Sequence, residues 1–170
     1  MNNRILVTGA TGNLGQDIVN SLLNEGYAVK AATRKPAAIK PGERLTSVQF
    51  DYTDPTTFNE SLHGTQGAVI MAPPMDPEAP AKLIPFIEKA KEAGLKHLIF
   101  ISALGADQNE QAPLRIIENA IIGCGLPFTI LRPNFFMENF SRGFIAPMIS
   151  QGGIFLAAGQ GKTSFISTKD

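Results

Sequence analysis

Apolar residues along this chain arrive in short solid runs, and between the runs they recur every three or four positions. Ile5, Leu6 and Val7 form the first run, and Tyr27 to Thr33, Leu45 to Asp51, Gly67 to Ala72 and His97 to Ser102 form the next four. Runs of this length, bounded by glycine, proline or aspartate, predict strands. Between them, Leu14, Ile18, Val19, Leu22 and Leu23 mark one face of a helix that Gly26 closes. Leu83, Ile84, Ile87 and Ala90 mark another, with Lys89 and Lys91 in its last turn and Gly94 as its stop. Asp54 and Pro55 suit the N-cap and first position of a third helix. The run from Gly67 to Ala72 is apolar throughout, which predicts a central parallel strand covered on both faces.

The first strand meets the first helix through Gly9-Ala-Thr-Gly12-Asn-Leu-Gly15. Gly9 permits a sharp turn, Gly12 lets main-chain N–H groups approach a ligand, and Gly15 lets helix and strand pack closely. The helix head then offers free N–H groups and partial positive charge, which suit a diphosphate. A dinucleotide site is therefore expected, although the first glycine gap is one residue longer than the usual fingerprint. About twenty positions beyond this turn an acidic side chain would hold the adenosine ribose hydroxyls. Here the residue is Arg34, followed by Lys35. A guanidinium cannot accept from a diol but forks onto a 2′-phosphate, so NADP(H) is favoured and NAD(H) remains possible. A solvated basic loop is the alternative use of Arg34; Lys40 could assist, but nothing fixes its direction.

Composition narrows the functional classes. The 170 residues, 44% of them hydrophobic, suit one domain with a real core, and fifteen basic side chains balance fifteen acidic ones. No global field favours nucleic acid or an anionic membrane surface. The single cysteine, Cys124, excludes an intrachain disulfide, no apolar stretch is long enough to span a bilayer, and Met1 to Arg4 run straight into the first strand. A cytoplasmic location is expected. His63 and His97 read as surface histidines at the edge away from the site, and no second ligand pairs with either to suggest a metal.

The stretch from Thr8 to Gly15 resembles the atypical short-chain dehydrogenases of the NmrA-like branch, which bind NAD(P). In that superfamily a serine at the end of the fifth strand holds a substrate carbonyl, and Ser102 stands there as a weak catalytic candidate. The Tyr-x-x-x-Lys motif that usually follows is missing. The only tyrosines are Tyr27 and Tyr52, no lysine occurs between Lys96 and Lys162, and the next helix offers only Arg115, Glu118 and Asn119 as polar candidates. An arginine cannot take the phenol's acid–base role, so alcohol dehydrogenation by the standard route is not expected. The blocks from Pro113 to Glu118, Gly125 to Pro133 and Asn134 to Phe140 strengthen the resemblance. They look like the family's sixth strand, whose end approaches the nicotinamide, and a following segment on the substrate side. Phe135, Phe136, Met137 and Phe140 could wall a flat acceptor or simply fill a core. The resemblance also puts Asp51 beside the adenine, where it could accept from the amino group or bond neighbouring backbone instead. The cofactor contacts implied are Gly9, Thr11, Gly12, Asn13, Leu14, Gly15, Arg34, Asp51, Ala72, Pro73, Ser102 and Pro133.

The fold expected is α/β, a doubly wound, Rossmann-type parallel sheet in the order 3-2-1-4-5-6. Residues 1–150 would form the NAD(P)-binding domain and residues 151–170 the start of an incomplete substrate lobe. Gly152 to Thr168, with Ile154-Phe-Leu and Ser164-Phe-Ile around Gly159-Gln-Gly161, looks like a hairpin entering that lobe. Family members run on further, which implies a fragment or a natural short form. An unpaired terminal strand with Phe155 and Phe165 exposed would then favour self-association. The implied function is hydride transfer from NADPH to a small quinone-like acceptor, with a non-catalytic nucleotide-sensing regulator as the competing class. Titration of the wild type and Arg34→Ala with NADPH and NADH tests the phosphate assignment. NADPH affinity is expected to fall in the variant while NADH affinity holds; equal affinities in both proteins contradict it.

Overall fold

The computed structural model describes residues 3–154 and 159–170. The apolar runs become β1 (Arg4–Val7), β2 (Ala28–Thr33), β3 (Leu45–Gln49), β4 (Gly67–Met71), β5 (His97–Ile101) and β6 (Phe128–Leu131). All pair in parallel, in the order β3-β2-β1-β4-β5-β6. The expected sheet and strand order are thus present. The connecting helices are α1 (Asn13–Asn24), α2 (Phe58–Leu62), α3 (Ala79–Glu92) and α4 (Pro113–Cys124). Asp54 caps a short 3-10 turn ahead of α2, accepting from the Thr56 amide at 3.1 Å, with Pro55 in its first turn.

Strand alternation divides the core into two layers. Leu6, Ala68, Ile70, Leu98 and Phe100 pack against Leu83, Phe86, Ile87, Ile117 and Ile121 of α3 and α4. Val7, Val29, Ala31 and Val69 pack against Val19 of α1. The period of two sends neighbouring residues of one strand to opposite faces, so a parallel sheet covered on both sides needs apolar residues at both. Lys30 breaks that rule within β2 and is buried. Its Nζ donates to the carbonyls of Glu60 (2.8 Å) and His63 (2.6 Å) at the end of α2, satisfying carbonyls that a helix end leaves open. Burial pushes the Lys30 pKa below its ordinary value.

β1 is the switch point of the sheet. The chain moves to one side through β2 and β3 and to the other through β4, β5 and β6, so a crevice opens at the carboxyl ends of β1 and β4. Buried Thr8 ties its rim together. The Thr8 amide donates to the Val69 carbonyl at 3.0 Å, and Thr8 Oγ1 accepts from the Met71 amide and the Tyr52 hydroxyl, each at 3.1 Å. Strands β3, β4 and β5 stop one or two residues before the expected ends, which leaves Asp51, Ala72 and Ser102 just beyond the ladder, beside the crevice.

The C-terminal segment departs from expectation. Phe165–Ile166 (β8) pairs in parallel with Phe135–Phe136 (β7), so this strand is not an arm of a hairpin, and it is not unpaired. Side chains hold it there: Asn134 Nδ2 donates to Ser164 Oγ at 2.7 Å, and the Phe165 ring meets Phe140 at 5.1 Å between centroids. Of the other expected arm, Ile154 is not in a strand, and Phe155 and Leu156 lie outside the described residues. A short helix, α5 (Ala146–Ser150), lies between β7 and β8 in the chain. No described helix is long and apolar enough to cross a membrane.

A Cβ at residue 15 would lie 2.1 Å from the Gly9 carbonyl oxygen, so α1 and the turn before it must separate to admit one. Gly15→Ala is expected to cost about 2 kcal/mol or more in urea unfolding; a variant as stable as the wild type contradicts this close approach.

Candidate functional site

Three glycines shape the head of α1. Gly9 has φ +61°, a left-handed conformation that side chains other than glycine rarely adopt, and its carbonyl accepts from the Gly12 amide at 2.9 Å. Gly15 then seats the first helical turn directly on the Gly9 carbonyl. The helix begins without a side-chain cap and without an acidic residue in its first turn. The amides of Asn13, Leu14 and Gly15 therefore head a twelve-residue helix with no intrahelical acceptor. A diphosphate fits this cradle, because main-chain donors that the helix leaves without acceptors are gathered there.

Two adjoining cavities, of about 510 and 850 Å³, meet along Gly12, Ala72 and Pro73 to make one crevice over the strand ends. The smaller is lined by Gly9, Thr11, Arg34, Asp51 and Tyr52. Arg34 is exposed and makes no hydrogen bond or ion pair among the described residues, which leaves its fork for a ligand. Asp51 Oδ1 accepts from the Thr53 amide (2.9 Å) and hydroxyl (2.8 Å), and these bonds hold its pKa below the ordinary value. Of the two uses open to Asp51, the local backbone bond is made, and Oδ2 makes no hydrogen bond among the described residues. Tyr52 donates to Thr8, and burial pushes its phenol well above the ordinary pKa, so it stays protonated. The ion pair of Lys82 and Asp76, at 2.6 Å, also lines this cavity; sequence reasoning missed it, because a loop residue and a residue in the second turn of α3 carry no shared pattern.

The larger cavity runs from Asn13, Leu14 and Gly15 past Ile101 and Ser102 to Phe136. Ser102 Oγ donates to Glu118 Oε1 at 2.6 Å. Glu118 is fully buried, and Arg132 forks onto it, Nε to Oε1 and Nη2 to Oε2, both at 2.9 Å. Arg115 adds a second cation at 3.3 Å. Together these donors hold the Glu118 pKa down to about 2, the Arg132 bonds most of all. Arg132 escaped the sequence reading. It sits just after a strand, fourteen positions from its partner, and only the packing of α4 against β6 joins the two. Arg115 and Asn119 bond Glu110, at 3.0 and 2.9 Å, and neither lines the crevice.

Of the expected contacts, Gly9, Thr11, Gly12, Asn13, Leu14, Gly15, Arg34, Asp51, Ala72, Pro73 and Ser102 share this crevice. Pro133 is not among its lining residues; its carbonyl accepts from the Leu104 amide at 2.9 Å. Of the aromatic segment only Phe136 lines the larger cavity, while Phe135 packs towards Phe144 and Phe165 and Phe140 towards Phe165. Glu138, Asn139 and Thr168 complete that wall instead. Glu138 accepts from Ser167 Oγ (2.8 Å) and the Thr168 amide (3.0 Å), which hold its pKa down to about 2. His97 is exposed and bonds Thr129 at 2.9 Å.

A glycine cradle at a switch point, an unpaired arginine after β2 and a long crevice define a nucleotide-binding α/β protein. Residues 9–152 match the model of the NAD(P)H-binding family, and the chain belongs to that family. It is 42% identical over 171 residues to prestalk A differentiation protein A of Dictyostelium discoideum, covering 98% of this chain and 56% of that protein. Quinone oxidoreductase 2 of Escherichia coli is 29% identical over 98% of this chain and 60% of its own length. A triphenylmethane reductase from Citrobacter sp., solved with NADP(H), shares the fold with a TM-score of 0.82 at 22% identity, over 98% of this chain and 61% of that one. The NmrA-like resemblance agrees with these matches, since an NmrA structure shares the fold too. The chain spans between half and two thirds of the length of these relatives.

The Glu118 ion cluster makes stability sensitive to acid. Its pKa is about 2 in the folded chain against an ordinary 4.5, so its contribution is complete above pH 4.5 and lost as pH falls towards 2. Thermal melts across that range should show Glu118→Gln losing much of the acid limb. Arg132→Met, which strands a buried carboxylate, should cost on the order of 3 kcal/mol at neutral pH. An unchanged acid limb in Glu118→Gln contradicts the assignment.

Proposed function

We propose that this chain is the NADPH-binding part of an oxidoreductase that delivers a hydride to a small, flat, quinone-like acceptor. The observation that carries the reading is the apolar cavity of about 850 Å³ that continues the diphosphate cradle past Ser102 towards Phe136. Amides of Asn13, Leu14 and Gly15 hold the diphosphate, and Arg34 forks onto the 2′-phosphate, which favours NADP(H) over NAD(H). Ala72 and Pro73 let the cofactor cross the ends of the strands. NADPH bound there supplies a hydride from its dihydronicotinamide ring. Ser102 lies at that end, its proton committed to Glu118, so it orients rather than acidifies.

Quinone reduction suits a site without a Tyr-x-x-x-Lys motif, because stacking and positioning provide much of the rate and water can protonate the product. Relatives named for quinone and triphenylmethane-dye reduction support the acceptor class. On this reading residues 1–150 carry the cofactor and residues 151–170 begin the acceptor lobe, in a cytoplasmic protein whose lone thiol stays reduced. Exposed Phe135, Met137, Phe144 and Phe165 would favour self-association through that lobe.

A nucleotide-sensing regulator is the second reading, favoured by the engagement of the Ser102 proton with Glu118. Purified protein saturated with NADPH is expected to oxidise it on addition of menadione. Absence of turnover across a panel of quinones, with clear discrimination between NADPH and NADP+ in binding, overturns the enzyme reading in favour of the sensor.

A further inference from the structure

We infer that Glu118 and Arg132 are positioning residues that turn the Ser102 hydroxyl into a hydrogen-bond acceptor, and that its partner is the carboxamide NH2 of the bound nicotinamide. The inference rests on the reading of the larger cavity as the nicotinamide end of the crevice, but on no choice of hydride acceptor.

The direction of the Ser102 bond follows from what surrounds Glu118. Oε1 of that carboxylate accepts from Ser102 Oγ at 2.6 Å and from Arg132 Nε at 2.9 Å. Oε2 accepts from Arg132 Nη2 at 2.9 Å and from Arg115 Nη1 at 3.3 Å. A carboxylate held between two guanidiniums has no proton to give, so the hydroxyl proton lies on the line to Glu118. A hydroxyl carries one proton and two lone pairs. Ser102 is left with acceptor capacity only, and among the described residues nothing donates to its Oγ. The residue is 6% exposed and its amide is tied to the Leu131 carbonyl at 2.8 Å, so this oxygen is held in place with little solvent around it.

The setting of Ser102 selects the partner. It shares the larger cavity with Met71, Ala72, Ile101, Leu114 and Phe136, side chains that offer nothing polar beyond a weak thioether. The other hydroxyl on the wall, Thr168, is also spent as a donor, to Asp17. A heteroaromatic ring with a single polar substituent suits such a chamber, its faces against apolar side chains and its substituent on the one buried oxygen that still has capacity. Nicotinamide is such a ring. Its carboxamide ends in an oxygen and an NH2 group; a serine that donated would take the oxygen, whereas this one, able only to accept, takes the NH2. The bond orients the carboxamide and moves no proton.

NADP+ and its acetylpyridine analogue are the probes, because they differ only in NH2 against CH3 and neither reacts when no other substrate is present. Calorimetric titration of the wild type should show NADP+ binding roughly tenfold more tightly than the analogue. Ser102→Ala should bring that ratio close to one by weakening NADP+. Glu118→Gln should lower it severalfold with the serine still in place. The Oε2 position faces two guanidinium N–H groups and the Oε1 position only one, so the new amide NH2 settles beside Ser102, donates to Oγ and frees the hydroxyl proton for the crevice. Residues that served the fold alone would weaken both ligands together and leave the ratio unchanged. Equal affinities in the wild type overturn the inference whether or not the variants fold, and so does a ratio that survives in folded Ser102→Ala. Menadione turnover alongside either result leaves the oxidoreductase reading standing and removes this one alone; failure to bind NADP+ or NADPH removes both.

Discussion

Everything in the crevice depends on how closely α1 sits against the turn that feeds it. With no side chain at residue 15, the first helical turn rests on the Gly9 carbonyl, and the amides of residues 13–15 are brought to the ends of the strands. Any larger residue would move the helix head outward and take its partial positive charge with it. Thr8 fixes the other side of the same contact, joining the ends of β1 and β4 and the loop after β3 through a single hydroxyl. Cradle and rim are therefore tied to each other through main-chain contacts and one hydroxyl.

Charge is distributed unevenly along the crevice. At one end Arg34 stands free beside Asp51, whose Oδ1 is already bonded to Thr53; in the middle the helix head offers amides; at the far end the ionised groups are mainly carboxylates. Behind that end Glu118 is fully buried and still ionised. Its two oxygens are satisfied by Arg132, Arg115 and Ser102, so a fully desolvated carboxylate persists where an unpaired one would protonate.

The last residues belong to the site as well as to the fold. Ser167 and Thr168 bond Glu138, and Thr168 reaches Asp17 on α1, so the C-terminal segment is strapped back across the helix that heads the crevice. Glu138 and Thr168 both line the larger cavity as a result.

The sequence by itself determined the strands, the helices and the cofactor cradle, because those rest on local rules. Apolar runs specify strands, spaced apolar residues specify helices, and the glycines between Gly9 and Gly15 permit only a narrow set of backbone paths. Arg34, Asp51, Ala72 and Ser102 were legible for the same reason, since each sits at a fixed offset from a strand end. Tertiary structure alone decided which polar groups meet. The fork of Arg132 on Glu118, the capping of α2 by Lys30 and the pairing of Phe165 with Phe135 join residues 14, 30 and 30 positions apart. No periodicity encodes such separations. They follow from which elements the parallel crossovers lay side by side, and burial then makes each polar group find the partner within reach.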